Sequence, residues 1–248
     1  MKWSDIRRLV EEADVVIEVL DARFPNETRS KKLEEIVKEL DKELILVINK
    51  CDLVSRSKCE KIKKALNKEG FRVILFSAKK RWGSRLLRNE LRFIASEKGL
   101  EQVLAVVVGY ANVGKSSLIS LLKGKSSAPA SSQPGFTRGK QWIRVSRKIR
   151  LIDTPGIIPR EESDVRLALK GAYDVTKLKD PELAAYQLIQ SLPRDVLRSH
   201  YGIDEEDPEK ALEALALKWK MLRKGGVPDT DRAARRLILD WQRGRLVY

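Results

Sequence analysis

The residues Gly109-Tyr110-Ala111-Asn112-Val113-Gly114-Lys115-Ser116 follow a run of β-branched apolar residues and precede a segment with helical spacing. Glycines in such a loop let backbone N–H groups and the following helix N-terminus face an anion. A lysine there reaches the β- and γ-phosphates, and the next hydroxyl ligates Mg²⁺. Lys115 and Ser116 take those roles, Val113, Gly114 and Ser117 line the phosphates, and a nucleoside triphosphate is the expected ligand.

A second group chooses the base. Asn49-Lys50-Cys51-Asp52 ends an apolar run, and a carboxylate at Asp52 can accept from both N1–H and the exocyclic amine of guanine. Adenine offers an acceptor at N1 and no amine at C2, so guanine is preferred. Asn49 is placed to bond the base or to tie this loop to the neighbourhood of Gly109, and the Lys50 stem to cover the ring face. Alone, the tetrapeptide also reads as a helix N-cap. Ser77-Ala78-Lys79, at the end of another apolar run, adds a backbone N–H for O6 and favours the base-binding reading.

A third group would sense the γ-phosphate. Asp153-Thr154-Pro155-Gly156 ends a further run; its carboxylate can hold Mg²⁺ through water and the Gly156 N–H can bond the γ-phosphate. Thr137, in Gly135-Phe136-Thr137-Arg138-Gly139, is the candidate for a second hydroxyl on Mg²⁺, against a plain surface threonine. Arg138 is read as a solvent or RNA contact rather than an arginine finger.

Elements must hold these groups in place. Val15–Leu20, Leu44–Ile48, Val73–Phe76, Val103–Val108, Gln141–Val145 and Ile149–Ile152 read as strands, with helical spacing over Lys31–Leu40, Ser57–Lys68 and Ser84–Ile94. Strands apolar on both faces alternating with helices predict a doubly wound α/β domain over residues 1–160. Beyond it, Pro181–Gln190, Asp207–Arg223 and Asp229–Arg243 predict a small all-α domain over 161–248. In the last of these helices Ala234, Leu237, Ile238 and Trp241 share one face, and Arg232, Arg235, Arg236 and Arg243 the other.

The chain has 248 residues and a formal net charge of +15, and residues 51–150 alone carry 23 basic against 6 acidic side chains. A field so localised attracts polyanions, and nucleic acid is the expected partner. Two cysteines and one histidine are too few for a disulfide scaffold or a transition-metal enzyme. No run approaches the roughly 18 apolar residues of a membrane span and the start is charged, so a cytosolic protein without membrane contact is expected.

Ordinary GTPases begin with the phosphate loop and end with the base-recognition motifs; here the base-recognition pair comes first. That order, with Asp21-Ala22-Arg23 near the start, resembles the circularly permuted GTPases, specifically the YlqF/RbgA family of ribosome-assembly GTPases. Pro228-Asp229-Thr230-Asp231-Arg232-Ala233-Ala234 and Asp240–Gly244 look like the end of that family's helical RNA-binding domain. The resemblance implies a monomeric, Mg²⁺-dependent enzyme that converts GTP to GDP, slowly alone. It would act on the large ribosomal subunit or its precursor through rRNA, by way of the basic middle and Arg232, Arg235, Arg236 and Arg243. The water-positioning glutamine of Ras-like enzymes is replaced by Ile157-Ile158, as in that family. The histidine its bacterial members use near the N-terminus is missing, since His200 is the sole histidine. No general base can be named, so catalysis rests on Lys115, Thr137, Gly156 and Asn112. Asn112 resembles the loop asparagine of GTPases that bind K⁺ between the α- and γ-phosphates, and a loop residue with an unusual φ is the alternative. A non-hydrolysing GTP-dependent RNA-binding placeholder and a P-loop ATPase or kinase remain as rivals.

Overall fold

The computed structural model describes residues 2–123, 141–154 and 163–246, and its contacts divide the chain into two units, Met1–Ile158 and Pro159–Tyr248. Thr137 and Gly156 lie outside the described residues, as do Arg138, Ile157 and Ile158.

In the first unit the strands are β1 (Val15–Asp21), β2 (Glu43–Asn49), β3 (Arg72–Leu75), β4 (Val103–Val108), β5 (Gln141–Arg144) and β6 (Ile149–Asp153). The helices are α1 (Trp3–Glu12), α2 (Pro25–Thr28), α3 (Lys31–Glu39), α4 (Arg56–Lys68), α5 (Ser84–Glu97) and α6 (Lys115–Lys123). Each strand stands within one residue of its apolar run. They form one sheet in the order β3-β2-β1-β4-β6-β5, in which only β5 and β6 pair antiparallel.

Burial explains the sheet. β1 is buried along its whole length, and alternate residues supply two opposite layers. Val15, Ile17 and Val19 pack with Leu87, Leu91 and Ile94 of α5 and Leu118 and Leu122 of α6. On the other face, Val16 meets Ile6 and Val10 of α1 and Leu33 and Ile36 of α3. Leu20 on that face meets Cys59 and Leu66 of α4. Between these last two clusters stands Glu18, fully buried.

Because five strands run the same way, the carboxyl ends of β2, β3, β4 and β6 open on one edge of the sheet. The chain steps outward from β1 to β2 and β3, then returns to the other side of β1 as β4. Such a reversal leaves a crevice at the strand ends, where α/β sheets bind ligands.

The second unit holds α7 (Asp164–Leu169), α8 (Pro181–Ser191), α9 (Asp195–Tyr201), α10 (Pro208–Lys218) and α11 (Thr230–Gln242). Among its described residues there is no strand, only an isolated bridge between Leu222 and Pro228. Asp180, Asp207 and Asp229 cap α8, α10 and α11 by accepting from backbone N–H groups, and a proline opens α8 and α10. Trp241 is fully buried and donates its indole N–H to the Leu169 carbonyl at 2.8 Å. α10 stops at Lys218, short of the expected Arg223. Lys220 turns left-handed at φ 55°, and the Lys220 and Met221 N–H groups close back on Leu217 and Ala216.

Candidate nucleotide site

β4 ends at Val108 and α6 begins at Lys115, so the six residues between them turn the chain at the mouth of the crevice. The turn needs positive φ at Gly109 (148°), Asn112 (58°) and Gly114 (101°). A Cβ on Gly114 would stand 2.1 Å from Asn49 Nδ2, so only glycine lets the two loops approach. Lys115 is buried, and its Nζ donates to the carbonyls of Gly109 at 2.9 Å and Tyr110 at 2.6 Å. Burial pushes its ammonium down to about 8, while Asp153 acts in the opposite direction. Asp153 closes β6 opposite Val107 and is itself buried, and the neighbouring Thr154 hydroxyl donates to the Val107 carbonyl at 2.7 Å. Ser116 and Ser117 follow Lys115 in the first turn of α6, where helical N–H groups lack intrahelical partners.

The base-recognition residues come from the next strands along the same edge. Asn49 Nδ2 donates to the Val113 carbonyl at 2.8 Å, joining the end of β2 to the phosphate loop 64 positions later. Of the two roles open to Asn49, the structure displays the tie between loops. Its Oδ1 accepts the Ala78 N–H at 3.2 Å, so the donor expected to face O6 is engaged with Asn49. The Ser77 hydroxyl donates to Asp52 Oδ1 at 2.5 Å and accepts the Lys80 N–H at 3.0 Å. Lys79 is exposed beside them.

Lys50 has a left-handed backbone at φ 61°, and its Nζ lies 2.8 Å from Asp21 Oδ2, a partner for the head group that the spacing does not announce. Asp21 also holds Arg23, through Nε at 3.0 Å and Nη2 at 2.8 Å, and both side chains are buried. Burial alone would raise the Asp21 carboxyl, but Lys50 and Arg23 outweigh it and keep it well below the usual carboxylate range. In the sequence, Asp21-Ala22-Arg23 stands out only as part of the family resemblance. Two opposite charges two residues apart at the end of an apolar strand were the available signal for a buried pair.

The RNA-facing set needs one correction. Arg232, Arg236 and Arg243 are exposed, and Arg236 lies 4.3 Å from the centre of the Trp219 ring. Arg235 is half-buried: it pairs with Asp231 at 2.8 Å and donates to the carbonyls of Val175, Thr176 and Leu178. A guanidinium with five donors can serve several carbonyls at once, so Arg235 ties α11 to the Val175–Leu178 segment.

A strand-loop-helix with a lysine over the loop, flanked by an Asn-Lys-x-Asp group tied to it, defines a P-loop nucleotide-binding domain of the GTPase class. The family model described as "50S ribosome-binding GTPase" matches residues 104–206, and that of the "Elongation factor Tu GTP binding domain" matches residues 3–122. The chain is 37% identical over 248 residues to an uncharacterized GTP-binding protein of Methanocaldococcus jannaschii, covering 98% of this chain and 65% of that one. It is 35% identical to nuclear/nucleolar GTPase 2 of Arabidopsis thaliana, covering 99% and 44%. It therefore spans about half to two thirds of the length of these relatives. YlqF from T. maritima with bound GNP superposes with a TM-score of 0.71 at 27% identity, over 98% of this chain and 94% of that one. The chain's structural neighbours are thus YlqF proteins, and its sequence relatives are GTP-binding proteins, several of them of nucleolar type.

Proposed function

We propose that this protein binds GTP and Mg²⁺, hydrolyses GTP to GDP and phosphate, and uses that cycle in assembly of the large ribosomal subunit through rRNA. The observation that carries the guanine reading is the Asn49–Val113 bond. It brings the Asp52 carboxylate and the phosphate loop to one crevice, the span a nucleotide must bridge. In this reading Asp52 accepts from guanine and Lys115 leaves the loop carbonyls for the phosphates. Ser116 and Asp153 hold Mg²⁺, with Thr137 as the further hydroxyl. The buried carboxylate of Asp153 next to the buried ammonium of Lys115 suits a divalent cation on an anionic ligand. Mg²⁺ there supplies charge neutralisation on the phosphate oxygens. Asn112, left-handed at the loop's bend, is the K⁺ ligand of the proposal.

The proposal includes a circular permutation, since the base-recognition motifs precede the phosphate loop. The match to one GTPase model from residue 104, one strand before the phosphate loop, supports it. It also includes an all-α RNA-binding domain that meets rRNA through Arg232, Arg236 and Arg243, in a monomeric cytosolic protein. Relatives named as nucleolar GTP-binding proteins support a role with the ribosome.

Calorimetry with GTP, GDP and ATP, followed by single-turnover hydrolysis in KCl with and without large-subunit particles, tests this. The reading requires tight guanine-nucleotide binding, no ATP binding, and hydrolysis accelerated by the particle. Binding without hydrolysis under every condition leaves the GTP-dependent placeholder instead.

A further inference from the structure

The sequence Lys79-Lys80-Arg81-Trp82 leaves the guanine side of the crevice and enters α5, and nothing in the nucleotide site uses the last three side chains. The turn is rigid. Ser77 and Trp82 exchange both backbone hydrogen bonds at 3.2 Å, Arg81 is left-handed at φ 59°, and the Lys80 N–H is held by the Ser77 hydroxyl. This backbone displays cations: Lys80, Arg81 and, one turn on, Arg85 are exposed, as is Arg92 further along α5. Among the described residues none of these four has an acidic partner. The nearby acids are already engaged, since Arg72 binds both Glu90 and Glu97.

Apolar side chains share this surface. Trp82 is 40% exposed, Leu86 61% and Phe93 52%. Leu86 and Phe93 are seven positions apart, hence on one face of α5, with Arg85 and Arg92 in the adjacent row about 10 Å apart along the axis. Cations thus alternate with isolated apolar groups. A protein interface core excludes unpaired charges, because burying them without partners is costly. A single nucleic-acid strand fits both features at once: phosphates neutralise the cations in turn, and bases stack on the exposed ring and pack on its apolar neighbours.

We infer that the Lys80–Arg85 turn and the exposed row of α5 form a binding surface for single-stranded RNA on the rim of the guanine site. This rests on the rRNA reading above and adds a second contact, on the first unit.

The test uses the full chain and a fluorescent single-stranded RNA of mixed sequence, about 12 nucleotides long, within the usual footprint of such surfaces. Three variants are compared with wild type across a salt series: Trp82→Ala, the triple Lys80→Ala/Arg81→Ala/Arg85→Ala, and the triple Arg232→Ala/Arg236→Ala/Arg243→Ala. Loss of one stacked base weakens binding about 5- to 160-fold, so Trp82→Ala falls in that range. Loss of three phosphate contacts flattens the slope of log affinity against log salt by about 2. GTP affinity stays at the wild-type value in both rim variants, which also reports that they fold. Wild-type RNA affinity and slope in both rim variants overturn the surface, and if the α11 triple alone loses binding, the rRNA reading stands without it. No RNA binding by wild type overturns both readings, while calorimetry with GTP still judges the nucleotide site. Rim variants that keep RNA but no longer co-sediment with large-subunit particles assign the surface to a protein and refute the inference.

Discussion

Glu18 offers a direct test of how the first unit is held together. It sits in the middle of β1, fully buried between two apolar clusters, where Oε1 accepts the Ser30 N–H at 2.7 Å and Oε2 is buried without a hydrogen bond. Burial pushes its carboxyl up from 4.5 to about 8; the Ser30 bond and Arg29 work against that rise and Glu34 with it. The folded protein therefore keeps this proton between about pH 4.5 and 8, where the unfolded chain has lost it. More protons bound in the folded state mean that stability falls as pH rises through this window and levels off above it. Each pH unit crossed costs about 1.36 kcal/mol, so the whole window is worth roughly 3–5 kcal/mol. Glu18→Gln keeps the carbonyl acceptor for Ser30 and carries no titrating group. The substituted protein should match wild type near pH 5 and exceed it by up to that amount near pH 8. Urea unfolding followed by labelling of Cys51 and Cys59 measures the difference, since both thiols are buried in this unit. Comparing the two proteins at equal pH cancels thiol ionisation. A difference that stays constant from pH 5 to 8 would refute the account of Glu18 as a buried neutral acid.

Other perturbations follow from the site. Asp52→Asn should lose GTP and gain xanthosine triphosphate, whose C2 carbonyl accepts the new donor; unchanged GTP affinity by calorimetry removes Asp52 from the base site. Gly114→Ala would place a Cβ 2.1 Å from Asn49 Nδ2 at a φ of 101°, so nucleotide affinity should fall at least 10-fold (about 1.4 kcal/mol) as the loops separate. Hydrolysis should run faster in KCl than in NaCl at equal ionic strength, and Asn112→Ala should erase the difference while leaving GTP binding largely intact; equal wild-type rates exclude the K⁺ role. Since Lys115 titrates near 8 and binds phosphate only as the ammonium, GTP binding should take up a proton above pH 8 and none near pH 6.5. Calorimetry in buffers of different ionisation enthalpy detects that uptake.

The motifs were legible in the sequence because their chemistry is local. A phosphate loop works through consecutive backbone N–H groups, so Gly109 to Ser116 declares itself wherever the strand and helix around it are readable. The strands were equally plain, since burial on both faces demands unbroken apolar runs, and their ends agree with the structure to within one residue. Partners of buried polar groups were not legible. Asn49 finds Val113 across 64 positions, Lys50 finds Asp21 on the neighbouring strand, and Arg235 finds carbonyls 57 to 60 residues earlier. Spacing tells which side chains share a face. It says nothing of which distant segment will lie beside them, and a desolvated polar group takes whatever donor or acceptor that segment brings. For that reason the sequence alone determined which chemistry this chain could carry. Tertiary structure decided that the base and phosphate loops are latched by Asn49, that Lys50 answers to Asp21, and that one arginine of α11 serves the fold while its neighbours face solvent.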